Sequence, residues 1–375
     1  MKIAFVYDVI YPYVKGGVEK RVHELAIRLA ARGHAVHIIG MKYWEGPDSI
    51  VVDGVTLHGI CPAQQLYADG RRTIREALSF STSLLPFLMR EEFDIIDCQQ
   101  FPYFPCFPVK IVSVMKKKPF IITWHEVWGD YWYEYLGWQG VIGKVTERLV
   151  AGLTPHTIAV SATTAKKLRH LGVFGDVRII QNGINPRQLI SVPPSAESSD
   201  IIFVGRLIKE KHVDMLIRSF AVLLSGSPNR TLLILGDGPE RDAIRGLVSD
   251  LAIGDRVILK PFVDSHDDVI GLMKASHVCV IPSTREGFGI AALEALACGL
   301  PVITVDHPDN AIGELVTRET GFLSSLSVDD LADTIRAALS GYPAMKTACV
   351  SSAEAYDWDQ IVDRVEDYYR SRTRA

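Results

Sequence analysis

At about 150 residues per domain, a chain of 375 residues is expected to form two domains. Hydrophobic residues make up 48% and charged residues 22%, which excludes intrinsic disorder, and 29 Gly and 19 Pro without a repeating period exclude collagen-like and low-complexity chains. The 40 Lys plus Arg and 44 Asp plus Glu give a net charge of −4, so no global field draws the chain to nucleic acid and any polyanion site must be local.

In chain order, the apolar run from Lys2 to Tyr7 predicts a first strand. Asp8 interrupts it and no cleavage signature follows, so it does not read as a signal peptide. A loop with Gly16-Gly17 comes next, then Val18, Val22, Leu25, Ala26, Leu29 and Ala30 at helical spacing, closed by Gly33, and then a second strand from Val36 to Gly40. Further apolar runs at Asp94-Ile96, Phe120-Thr123, Thr157-Val160 and Val177-Ile180 continue the alternation of a parallel, doubly wound sheet. The stretch from Ser191 to Ser199, rich in Pro and Ser and lacking an apolar period, reads as a linker between a domain of residues 1–190 and one of residues 199–356.

Beyond the linker the alternation restarts. Strands are expected at Ile201-Val204, Thr231-Leu235, Val257-Leu259, Val278-Ile281 and Val302-Thr304, and helices at Val213-Leu224, Pro239-Leu251 and Gly289-Cys298. The fold class is therefore α/β, with two Rossmann-like domains in tandem. Ile361, Val365, Tyr368 and Tyr369 share one face of a C-terminal helix within 357–375, placed to cross back onto the first domain. Up to Asn185 there are 21 basic and 17 acidic residues, and 19 and 27 after it, so the halves carry +4 and −8. The first half is the better candidate to meet an anionic surface.

The six cysteines, Cys61, Cys98, Cys106, Cys279, Cys298 and Cys349, form no C-x-x-C pair and read as reduced, mostly buried thiols. No apolar run approaches the length of a membrane span, and the cytoplasm is the expected compartment.

The most informative segment runs from Pro282 to Val302. A strand ends at Ile281, a loop carries Glu286 and Gly287-Phe288-Gly289, and a helix runs to Gly299, so unpaired amides at the helix start suit an anion such as a diphosphate. Glu294 lies about two turns inside that helix, and two carboxylates aimed at hydroxyls beside a phosphate cradle suggest a nucleotide sugar. On spacing alone, solvated charges and capping glycines explain the segment equally well. The run Glu286-Gly287-Phe288-Gly289, with Glu294 after four further residues, resembles the signature of the retaining glycosyltransferases of family four, which have the GT-B fold of two Rossmann-like domains facing a cleft. The resemblance implies that Glu294 holds the ribose hydroxyls, that Glu286 contacts the donor sugar, and that the amides of Phe288, Gly289 and Ile290 lie at the donor.

Arg206 and Lys211 follow the strand Ile201-Val204, at the carboxyl end where open α/β sheets bind ligands. They resemble the family's diphosphate-binding pair, which would stabilise the charge of a leaving nucleoside diphosphate with no metal and no cofactor. His212 stands where the family usually has Gly. Gly16 and Gly17 match the family's Gly-Gly-x-Glu segment over the donor diphosphate, and His125, at the end of Phe120-Thr123, resembles its cleft histidine, whose side chain reaches the donor sugar. Recognition of the base is expected from backbone near Phe262 and Val263. Neither glycine loop, including Gly236-Asp237-Gly238, completes G-x-G-x-x-G, which disfavours a dinucleotide site. Asp357-Trp358-Asp359 opens a helix and reads as capping, not as a metal-binding D-x-D. The segment from His307 departs from the family's Gly-Gly-x-x-Glu and keeps only Glu314.

The resemblance implies a retaining, metal-independent transfer of a hexose or N-acetylhexosamine from a nucleoside diphosphate sugar to a glycan, lipid-linked or small-molecule acceptor. A sugar-nucleotide epimerase of the same fold and a noncatalytic nucleotide-sugar-binding subunit are the alternatives. Trp128, Tyr131, Trp132, Tyr133, Tyr135 and Trp138 crowd six aromatics into eleven residues. They either pack in the core or, beside Lys116-Lys117-Lys118, meet an acceptor or the inner face of a membrane.

Overall fold

A computed structural model of the chain describes residues 1–68, 71–173, 175–263 and 265–373. It divides into two compact units: Met1–Asn182 joined by the chain from Trp358 onward, and Gly183–Asp357.

In the first unit, strands β1 (Lys2–Val6), β2 (Ala35–Lys42), β3 (Ser49–Val52), β4 (Val55–Pro62), the short pair β5 (Tyr67–Ala68) and β6 (Arg71–Arg72), β7 (Ile95–Gln99), β8 (Phe120–Trp124), β9 (His156–Ala159) and β10 (Asp176–Ile179) alternate with helices α1 (Gly17–Ala31), α2 (Ile74–Arg90), α3 (Cys106–Lys116), α4 (Tyr131–Leu136), α5 (Gly140–Ala151) and α6 (Ala162–His170). Eight strands form one sheet in the order β10-β9-β8-β7-β1-β2-β4-β3. All neighbours are parallel except β3 and β4. That edge hairpin was not expected from apolar alternation, yet its signal is present: Asp53-Gly54 between two valine-rich runs, with φ of +50° and +78°, the left-handed pair a tight hairpin needs.

The second unit holds α7 (Pro186–Ser191), β11 (Ser199–Val204), α8 (Val213–Gly226), β12 (Leu232–Leu235), α9 (Arg241–Asp250), β13 (Val257–Lys260), α10 (His266–Lys274), β14 (Ser276–Ile281), α11 (Ile290–Ala297), β15 (Val302–Val305), β16 (Gly321–Ser324) and α12 (Val328–Glu354). Its six strands are all parallel, in the order β13-β12-β11-β14-β15-β16. Counted within the unit this is 3-2-1-4-5-6, the order of a Rossmann sheet. Residues 183–198 group with this unit, although the Pro- and Ser-rich stretch suggests a later boundary. The reason is local: Lys274 Nζ donates to the carbonyls of Ile190 (3.1 Å) and Val192 (2.6 Å), and Ser195 N–H to that of Gly271 (2.8 Å), which ties the stretch to α10.

The last helix, α13 (Trp358–Thr373), belongs to the first unit and packs against α1. It buries Trp358, Ile361, Val362, Val365, Tyr368 and Tyr369 in the core on one side of the sheet, with Ile3, Phe5 and Val22. The other side of the sheet is covered by α2, α3 and α5 through Phe80, Leu84, Leu88, Val109, Val112 and Val150. All six cysteines are free and buried.

Candidate active site

A 3-2-1-4-5-6 sheet has its switch point between β11 and β14, where loops leave in opposite directions and open a crevice at the carboxyl ends of the strands. Both charged loops foreseen in the sequence start there. Gly205-Arg206 follows β11, with Lys211 in a 3-10 turn, and Glu286 lies on the loop from β14 to α11. Lys211 Nζ forms an ion pair with Glu286 Oε1, and Ser283 Oγ donates to the same oxygen at 3.2 Å. The loops are also joined by the Thr284 N–H, which donates to the Glu210 carbonyl at 3.0 Å, and by a 2.9 Å hydrogen bond between His212 Nε2 and Thr284 Oγ1. His212 has φ +47° and ψ +44°, the left-handed conformation that glycine adopts without strain. The contact with Thr284 compensates here, so the departure from the family's Gly keeps the turn.

The glycines of Gly236-Asp237-Gly238 have a packing explanation. A β-carbon at Gly236 would lie 1.9 Å from the Gly205 carbonyl oxygen, and one at Gly238, with φ +156°, 2.3 Å from that of Leu207. The Leu207 N–H donates to the Asp237 carbonyl at 2.8 Å, so this loop backs the Arg206 loop.

On α11, Gly289 is the N-cap with φ +92°, and a β-carbon there would meet Ile312 Cγ1 at 2.3 Å. The helix that follows leaves its first amides, from Ile290 on, without acceptors of its own. Phe288 is buried against Tyr356, with ring centroids 6.0 Å apart. Glu294 is buried, and its Oε1 is 2.8 Å from Nε2 of His266, the first residue of α10. Phe262 and Val263 follow β13, and the Phe262 ring is half exposed. Asn310 anchors the segment that departs from the family pattern: its Nδ2 donates to Thr304 Oγ1 and to the Val305 carbonyl, both at 2.8 Å, and its Oδ1 accepts from Ile312 N–H at 3.2 Å. The Glu286 N–H donates to the Asp309 carbonyl at 2.9 Å and the Glu286 carbonyl accepts from Ala311 N–H at 3.0 Å, so that segment fixes the backbone of Glu286. His266 and Asn310 were not singled out from sequence, because their partners lie on other elements.

Gly16, Gly17 and His125 belong to the first unit. Gly16 is the extended N-cap of α1, and a β-carbon there would press on the Glu19 carboxylate at 2.4 Å. His125 follows β8, with Nε2 2.7 Å from Gln99 Oε1, and its own N–H donates to Gln100 Oε1 at 2.9 Å. Burial and the charge of Arg21 push its pKa down to about 3, so the ring is neutral and Nε2 carries the proton it gives to Gln99. Gln99 Nε2 donates in turn to Asp97 Oδ1 at 3.3 Å, and Asp97 also accepts from Thr123 Oγ1 at 2.8 Å and from the Tyr369 hydroxyl of α13. Burial raises Asp97 to about 6 despite these donors. Arg21 is buried too, held by the carbonyls of Ile180 (3.0 Å) and Gln181 (2.5 Å) and by Asn182 Oδ1 (3.0 Å).

The aromatic cluster packs largely on itself, with Trp132 buried and Trp128, Tyr131 and Tyr135 half-buried. Trp128, Tyr131, Trp132 and Tyr135 contact one another with centroids 4.5 to 6.2 Å apart, and only Tyr133 and Trp138 of the six are exposed. Lys116 pairs with Glu92 at 3.0 Å. In the Asp357-Trp358-Asp359 segment Trp358 is buried and Asp359 pairs with Arg28 at 3.3 Å, a structural use of that acid.

Comparison with known proteins matches residues 189–369 to the family described as Glycosyl transferases group 1, and residues 15–188 to Glycosyltransferase Family 4. The chain is 24% identical to the phosphatidylinositol N-acetylglucosaminyltransferase gpi3 subunit of Schizosaccharomyces pombe, over 98% of this chain and 80% of that protein. Among solved structures, sucrose-phosphate synthase from Thermosynechococcus elongatus shares the fold with a TM-score of 0.82 at 22% identity, each chain covered to 98%. The Anabaena protein HepE, solved in complex with UDP-glucose, shares it with a TM-score of 0.74 at 18% identity, covering 99% of this chain and 100% of that one.

Proposed function

The chain belongs to the group 1 glycosyltransferases of GT-B fold, and from that premise we propose that it moves a hexose or N-acetylhexosamine from a nucleoside diphosphate sugar to an acceptor hydroxyl, with retention of anomeric configuration and without a metal ion. The observation that carries this reading is the Lys211–Glu286 pair at the switch point of the second unit, two residues from the buried Phe288 and next to the start of α11. A cation already balanced by a carboxylate is suited to exchange that partner for a phosphate. The diphosphate takes Lys211 and Arg206, and Glu286 is released to the sugar hydroxyls. Glu294, oriented by His266, receives the ribose.

The bond between the anomeric carbon and the β-phosphate oxygen then breaks, and the acceptor oxygen joins the same face. The β-phosphate, now carrying the leaving charge, takes the acceptor's proton, so no protein nucleophile is required. His125, neutral and aimed by Gln99, offers a hydrogen-bonding group that does not change charge across the physiological range. The donor class is supported by the UDP-glucose complex of HepE, and a lipid-linked acceptor by the phosphatidylinositol in the name of the fission yeast relative. The relatives named above favour neither the epimerase nor the binding-subunit reading.

Proton NMR of the first-formed product, with the enzyme assayed in EDTA, tests the proposal. The anomeric coupling should match that of the donor and activity should persist. An inverted linkage, or loss of all activity restored by magnesium or manganese, overturns it.

A further inference from the structure

Three helices on one side of the first unit's sheet, α2, α3 and α5, bury one apolar face and expose further large apolar side chains on the other, unlike an ordinary amphipathic surface helix. On α5 the inward positions are Gly140, Gly143, Glu147, Val150 and Ala151. Gly143 is required there, since a β-carbon would lie 2.3 Å from the Trp132 ring. Facing outward on the same helix are Val141, Ile142, Val145 and Leu149, with Ile142 65% and Leu149 57% exposed, and Trp138 in the preceding turn is 79% exposed. On α3, Ile111, Val114 and Met115 point outward, the last two about 60% exposed, and on α2 Ile74, Leu78 and Met89 do the same. All three helices cover one continuous core, so these stripes lie on one helical layer.

The charges on that layer have a single sign. Every charged side chain that α2, α3 and α5 leave exposed or half-exposed is basic: Arg75, Arg90, Lys110, Lys116, Lys144 and Arg148. The two acids on these helices, Glu76 and Glu147, are buried. Beside these helices, Glu92 pairs with Lys116 and Asp130 with Lys144, and Glu134 of α4 is exposed. The opposite layer of the same sheet is built differently. On α13 the exposed positions are Asp359, Gln360, Asp363, Arg364, Asp367, Arg370 and Ser371, and neither α1 nor α13 exposes a large apolar side chain.

We propose that the outward layer of α2, α3 and α5 is a docking surface for an anionic lipid bilayer. Exposed aliphatic stripes flanked by basic side chains, Arg75, Arg90, Lys110 and Arg148 among them, with a Trp at the margin, match the headgroup boundary: acyl chains accept the apolar side chains and anionic headgroups accept the cations. No described helix is long and apolar enough to cross a membrane, so the contact is in the interfacial plane. The surface overlaps the one the sequence suggests only in part: Trp138 and Lys116 belong to both, whereas Trp132 is buried and Trp128, Tyr131 and Tyr135 are half-buried. The inference does not rest on the donor chemistry and can fail or hold independently of it.

Co-sedimentation with vesicles of pure phosphatidylcholine and of phosphatidylcholine with 30% phosphatidylglycerol tests it. The full chain should partition at least tenfold better onto the anionic vesicles at low salt, and 0.5 M salt should remove most of that gain. Ile142→Glu with Val145→Glu should abolish the partition, and replacing Arg75, Arg90 and Arg148 by Gln should weaken it by about fivefold per residue. Circular dichroism and nucleotide binding in solution, both expected unchanged, show that the variants are folded. Equal partition onto neutral and anionic vesicles, or full partition by the Glu variant, overturns the proposal. So does a stable dimer in light scattering that the Glu variant dissociates, since the layer would then be the interface with a second copy.

Discussion

The two units place their polar groups at the ends of parallel strands in opposite ways. In the second, charged groups gather at the switch point: the partly buried Lys211 pairs with Glu286, and the buried Glu294 is joined by the half-exposed His266. In the first, a neutral, partly buried His125 ends a chain of buried hydrogen-bonded groups, through Gln99 to Asp97 and Tyr369. An ion pair at a crevice can trade one partner for an incoming phosphate at little desolvation cost. A buried hydrogen-bond chain cannot be exchanged, and serves to hold one ring in one orientation. The difference separates a region suited to exchange a charged partner from one suited to hold a neutral group in place.

The largest expected effect breaks the ionic side. Arg206→Ala with Lys211→Ala should lower turnover by about 10³-fold or more, since loss of a single group that stabilises developing charge typically costs 10²–10³. The melting temperature should fall by only a few degrees, because the partners left behind are partly solvated. Turnover within tenfold of the parent would place the leaving-group charge elsewhere.

A smaller effect sharpens the buried side. Tyr369→Phe removes one donor from the enclosed Asp97 carboxylate and should cost about 1 to 3 kcal/mol in urea unfolding. It should also raise KM or lower kcat modestly through the orientation of His125, while nucleoside diphosphate binding stays unchanged. Reduced diphosphate affinity would contradict the separation of roles.

The smallest effect is in pH dependence. His125 has a folded pKa of about 3 against 6.5 for the free side chain, so the unfolded chain binds more protons in that window and stability is lost as pH falls through it. Asp97 is raised from 3.8 to about 6, so its contribution runs the other way, and stability is lost as pH rises from about 4 to 6. The two slopes oppose each other in the parent. In His125→Asn the Asp97 slope should emerge, with the urea midpoint of the first unit declining from pH 4 to 6. An unchanged pH profile would mean that the two groups are not held as described.

Much of the second unit's arrangement was legible because each strand, loop and helix start there is contiguous in sequence, while spacing alone left Glu286, Gly289 and Glu294 open and the family resemblance singled them out. What escaped was contact between distant segments. Asp97 meets Tyr369 from 272 residues away, and His266 reaches Glu294 from another helix, so no local period announces either pairing. Asp97 was still a readable anomaly, a lone carboxylate inside the apolar run Ile95-Ile96-Asp97-Cys98. A buried acid in a central strand needs partners. The unit boundary was displaced because Pro and Ser content marks irregular backbone without saying whether it is packed, and Lys274 and Gly271 pack it. For the aromatic cluster the sequence left core and surface open, because six rings exceed one helical stripe but no local signal shows that Gly140 and Gly143 on α5 make room for Trp132.

The central claim is that the second unit's crevice holds the donor's nucleoside diphosphate through its own side chains. Calorimetric titration with UDP, GDP and ADP in the presence of EDTA, on the parent and on Glu294→Ala, tests it most directly. At least one diphosphate should bind the parent without metal, and Glu294→Ala should weaken that binding by about 1 to 3 kcal/mol through the ribose alone. Equal affinity in the two proteins would remove Glu294 from the site, and failure of every diphosphate to bind without a metal ion would contradict the account.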